Sequence, residues 1–118
     1  MLQLRREHMN AFSEVAQDNF EQRAIAHFRE FFSAQTRDLT DEDLRVQLRA
    51  GTARAAQWDL ISEQGVMQFV DTGLLFGEDF DCKPELVWAR EILEDEEEPD
   101  RASKLLARAV TESNKEPL

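Results

Sequence analysis

The side chains that could carry chemistry are few. The chain of 118 residues holds two histidines, His8 and His27, and a single cysteine, Cys82. A zinc site needs several Cys or His ligands at short spacings, and neither a His-Glu-x-x-His pair nor a second cysteine is present, so no metal site is assigned. One cysteine excludes an intramolecular disulfide, and with no histidine or basic cluster beside it Cys82 reads as a structural or bystander thiol. Ser33 and Ser62 stand in no Gly-x-Ser-x-Gly frame, and the four glycines are too scattered to form a phosphate-cradling loop. The acids Glu78, Asp79 and Asp81 suggest calcium. An EF-hand loop begun at Asp79, however, puts Pro84 where a glycine is required and Arg90 where the bidentate glutamate belongs. The 25 acidic residues offer many carboxylate pairs and for that reason single out none. No catalytic, cofactor-binding or metal-binding residue is therefore assigned, and His27, inside an apolar stripe, reads as a buried neutral histidine with one hydrogen bond.

The elements that must position these residues are helical. Good helix formers (Ala, Leu, Glu, Gln, Arg, Lys, Met) occupy 66 positions against 14 Val, Ile and Thr. The longest signal runs from about Leu4 to Ser33: Met9, Phe12, Ala16, Phe20, Ala24, His27, Phe28 and Phe31 fall within half of the helical wheel. Glu14, Asp18, Glu21 and Gln22 fall mostly on the other side. Such a helix would extend about 45 Å, beyond the roughly 35 Å diameter of a compact chain of this size, so it either bends or projects. A second helix opens at Thr40, a cap followed by three acids at the positive end of the dipole, and reaches Trp58. Gly51 and Ala55, four apart on it, allow a neighbouring helix to approach closely. A third runs from Ser62 to Gly77, and a short fourth has Pro84 in its first turn. A fifth covers about 100–112. No segment alternates apolar and polar residues over a strand's length. The expectation is an all-α bundle of about five helices in one domain, residues 1–112, with a long N-terminal helix, no significant sheet and a frayed tail over 113–118. Its packing anchors are Phe20, His27, Phe31, Trp58, Phe69, Phe80 and Trp88, the pair Phe80 and Trp88 folding the 77–83 loop back onto the helices.

The formal net charge of −11 argues against a broad basic face for nucleic acid or an anionic membrane. Its distribution is uneven: residues 1–60 have a net charge of −2 and residues 61–118 of −9. Six of the seven residues from Glu94 to Asp100 are acidic, a solvated run that could also steer a basic protein partner. Neither an export leader nor a membrane span is indicated, which points to the cytosol. For partner contact the sequence favours the far end of the first helix (Arg5, Arg6, Met9, Phe12) and the acidic run Glu94, Asp95, Glu96, Glu97 and Glu98.

Several segments carry a resemblance over roughly Leu4 to Leu106. They are the first helix with Phe12, Phe20 and the Arg23, His27, Phe28, Phe31, Phe32 end; Leu60-Ile61-Ser62-Glu63 followed by Val66, Phe69 and Val70; Gly77-Glu78-Asp79-Phe80-Asp81; and Trp88-Ala89-x-x-Ile92-Leu93. Together they resemble small helical accessory proteins encoded in bacterial type VI secretion effector clusters. The resemblance implies a non-catalytic co-chaperone without cofactors that binds an effector-adaptor chaperone and tunes delivery of the effector. The chain differs from that pattern at Gly65 and in its Glu94 to Glu98 run. A second hypothesis is a cytoplasmic immunity protein whose acidic half covers the basic rim of a toxin. A homodimer that buries the excess length of the first helix is compatible with either.

Overall fold

The computed structural model describes residues 2–115, with side chains at Ala16 and from Asp18 onward. Six α-helices follow one another: α1 (Leu2–Phe31), α2 (Ser33–Thr36), α3 (Asp41–Gln57), α4 (Glu63–Phe76), α5 (Val87–Glu94) and α6 (Arg101–Ser113), with a single 3-10 turn at Phe80–Cys82. The described residues contain no strand, as the sequence leads one to expect. No helix among them is long and apolar enough to cross a membrane.

The sixth helix, not expected, arises where α1 breaks at Phe32, whose φ of −131° and ψ of 46° leave the helical region. The Arg29 guanidinium holds the new segment by donating to the carbonyls of Thr36 and Leu39 at 2.6 and 2.7 Å. It also reaches Asp41 at 2.8 Å, which ties the start of α3 to the end of α1. Beyond the break, α3 starts as anticipated. The Thr40 hydroxyl accepts from the Asp43 N–H and the Asp43 carboxylate accepts from the Thr40 N–H, both at 3.0 Å, a reciprocal capping box. Ser62 likewise caps α4 by accepting from Gly65, and α4 ends at Gly77 in the left-handed region, φ 101°. The fourth expected helix starts three residues late, at Val87, because Pro84 sits in a turn closed by a bond from Leu86 N–H to Lys83 O.

Helix α4 is the central element. Val66, Phe69 and Val70 bury its apolar side against α3 and α6, and Asp71, Thr72 and Gly73 are buried with them. The approach of α3 depends on Gly51: a Cβ there would meet Val70 Cγ2 at 2.6 Å. Arg101 joins three elements, donating to Leu93 O at 2.6 Å and to Trp58 O at 2.7 Å and so satisfying carbonyls at the ends of α5 and α3.

The anchor residues divide into three groups. Phe20, Phe69 and Phe80 are buried, and the Phe69 and Phe80 rings lie 4.8 Å apart. Trp58 and Trp88 are half-buried, Trp88 packing edge-on against Phe76 at 5.5 Å. Phe31 is not an anchor: it is 65% exposed. The core side of α1 is the row Phe20, Ala24 and Phe28 at four-residue spacing, continued past the helix end by Phe32, and Phe31 falls on its flank with His27, four residues before it. His27 is accordingly half-buried, not enclosed. A further correction concerns Glu21, placed on the polar side by sequence but buried in the structure.

Candidate functional site

Three carboxylates are buried among the described residues: Glu21, Asp71 and Asp81. An ionised carboxylate removed from water must find donors, and the donors differ. Glu21 is gripped by Arg49, at 2.8 and 3.1 Å, with Arg45 at 3.4 Å. Asp81 accepts from the Arg54 guanidinium and, at 3.0 Å, from the Trp58 indole N–H, so the acid that invited a calcium reading instead ties the 3-10 turn to α3. Asp71 has no guanidinium among the described residues. His27 Nε2 donates to its two oxygens at 3.0 and 2.8 Å, the tautomer that an ionised carboxylate requires.

Burial pushes the Asp71 carboxyl up from its ordinary 3.8 to about 6, and the His27 hydrogen bond and charge offset only part of that effect. The pair sits in the wall of a cavity of about 460 Å³ between the end of α1, α2, the last turns of α4 and α6. Phe31, Phe32, Leu75, Leu106 and Val110 make that wall largely apolar, with Gln35 and Asn114 among its polar members. Two of these residues, Phe31 and Val110, are among the exposed large hydrophobic side chains of the described residues. The His27 ring stacks at a tilt between Phe31 and Phe32, with centroids 5.1 and 6.0 Å away. The arrangement is an aromatic and aliphatic groove with one carboxylate behind an imidazole, which suits the docking of an apolar group beside a polar one.

Of the contact residues proposed from sequence, those of the acidic run do not line this groove. The Arg5, Arg6, Met9 and Phe12 side chains lie outside the described residues. Glu94, Asp95, Glu96 and Glu97 are exposed, whereas Glu98 is half-buried and meets Lys104 Nζ at 2.9 Å. That hydrogen bond, with a second from the Asp100 N–H, holds the Glu98 carboxyl below its usual value. The acidic run borders a separate polar cavity of about 370 Å³ beside the exposed Ile61. Cys82 is exposed, its sulfur 3.1 Å from Arg54 Nη2.

Sequence reasoning placed His27 at a special position but missed its partner. The usable signal was the solitary acid Asp71 within the apolar run from Val66 to Phe76, since an acid on a buried helix needs a donor from elsewhere. No protein-family model matches this chain, and neither a curated protein nor a solved structure matches it.

Proposed function

We propose that the protein is a non-catalytic binding module that takes an apolar segment of a protein partner into the groove between α1, α2, α4 and α6. The observation that carries this reading is the groove itself, rimmed by the exposed Phe31 and Val110, whereas most other apolar side chains of the described residues pack inward. The class of partner comes from the sequence resemblance: an effector-adaptor chaperone of type VI secretion, in the bacterial cytoplasm, whose hand-over of the effector this protein tunes. On this reading the first helix runs unbroken to Phe31 and brings Arg5, Arg6, Met9 and Phe12 to a second contact, either with the adaptor or with a second copy.

The test is co-purification of the tagged protein with an effector-adaptor chaperone, for the native chain and for Phe31→Asp and Val110→Asp. The native chain is expected to retain the adaptor and both variants to lose it. Retention by both variants would remove the groove from the contact. The exposed carboxylates of Glu94, Asp95, Glu96 and Glu97 favour a second reading, an immunity protein that covers a basic toxin surface. A stoichiometric complex with a toxin, and protection of cells that express it, would establish that reading in place of the first.

A further inference from the structure

The three buried carboxylates differ in their supply of donors, and the difference falls at the groove. Glu21 has two guanidinium groups within reach, and Asp81 has one together with an indole N–H. Asp71, as deeply buried as either, has among the described residues only the Nε2–H of His27 for two oxygens that together offer about four acceptor positions. The described basic side chains on the surrounding elements are turned elsewhere. On α1, Arg23 pairs with Glu63 and Arg29 with the carbonyls after α2 and with Asp41. On α6, Arg108 bonds Glu112 and covers the Trp88 ring. The segment Ser33–Thr36 holds no titratable residue. The carboxylate short of a cation is thus the one that lines the apolar groove, and the walls beside it are the aromatic rings of Phe31 and Phe32.

Resting on the docking reading given above, we infer that the segment seated in the groove carries a cationic side chain, lysine or arginine, flanked by apolar residues, and that Asp71 is its counter-ion. A cation there is attracted by the carboxylate and by the faces of the neighbouring rings, both strengthened because the Asp71 side chain is only 2% exposed. His27 keeps its own hydrogen bond, since the carboxylate has acceptor positions to spare. The net charge of −11 favours the approach of such a segment, while the groove selects the one whose charge is embedded in apolar surface.

Two probes with one apolar body separate the charge from the docking: 2-phenylethylammonium and 2-phenylethanol, titrated into the intact protein while backbone amide shifts are followed by NMR. The ammonium is expected to bind about 3- to 30-fold more tightly than the alcohol, both shifting Leu75, Val110 and Ser113. In Asp71→Asn the two should bind equally. Equal binding to the native chain at the groove would overturn the counter-ion and leave the docking reading intact. Shifts confined to Glu94, Asp95, Glu96 and Glu97 would show attraction to the acidic run alone and overturn the inference. Absence of any groove shift with either probe would overturn both readings. The comparison within the native protein decides the matter even if Asp71→Asn alters the fold.

Discussion

His27 and Asp71, 44 residues apart in sequence, meet at 2.8 Å between the imidazole Nε2 and the carboxylate Oδ2. They join the flank of α1 to the buried side of α4 at the edge of the apolar groove. The pairing is lopsided: Asp71 is almost wholly buried, and its partner is half-buried.

That asymmetry sets a pH dependence. The Asp71 carboxyl titrates near 6 in the folded chain against an ordinary 3.8, so its protonated form is favoured by folding. Its stabilising contribution is complete below pH 3.8 and is lost as pH rises through 6, a change on the order of 2–3 kcal/mol. Urea unfolding at pH 4, 5, 6, 7 and 8 should show this fall in the native chain relative to Asp71→Asn, with the variant the more stable of the two at pH 8. Parallel profiles for the two proteins would contradict it.

The Gly51 contact predicts opposite results at two glycines. Gly51→Ala adds a methyl group 2.6 Å from Val70 Cγ2 and should cost about 1–3 kcal/mol, outweighing the better helix propensity of alanine. At Gly73 an added Cβ meets nothing closer than 3.7 Å, so Gly73→Ala should be neutral or stabilising by up to about 1 kcal/mol. Thermal midpoints of the two variants measure this directly, and equal midpoints would show that the helices separate without cost.

Removing a guanidinium should cost most where the carboxylate has the least support left. Arg54→Ala leaves Asp81 with Trp58 alone, an expected loss of about 2–4 kcal/mol. Arg49→Ala leaves Glu21 with Arg45 and should be the milder change. Denaturant midpoints for the two variants check the order, and a larger loss for Arg49→Ala would reverse this account of the carboxylates.

Neighbouring phenylalanines near the break in α1 should behave as different residues. Phe28→Ala, which empties a fully buried position, should cost about 3–5 kcal/mol. Phe31→Ser, at an exposed position, should change stability by no more than about 0.5 kcal/mol while weakening partner binding. A large loss of stability from Phe31→Ser would restore that residue to the core.

Much of the helical framework was legible in the sequence because its signals are local. Thr40 with Asp43, Ser62 with the Gly65 N–H, and Gly77 at the end of α4 act within a few residues of themselves, and apolar spacing follows from the helical period. The role of Gly51 was also readable, since a small residue on a buried stripe has one principal use. The break at Phe32 was not, because it depends on an arginine reaching carbonyls 7 and 10 residues ahead. The candidate site was less legible still. A helical wheel puts His27 and Phe31 within the apolar stripe, but it cannot say where that stripe meets its neighbours or which of several acids turns inward. Glu21 and Asp71 are buried because arginines from α3 and a histidine from α1 arrive at them, at separations of 28 and 44 residues. The sequence by itself determined an all-helical chain, most of its helix ends and its acidic second half. Only the tertiary structure decided which carboxylates are buried, which donors they receive and where an apolar groove stays open, because those depend on long-range packing that no local spacing encodes.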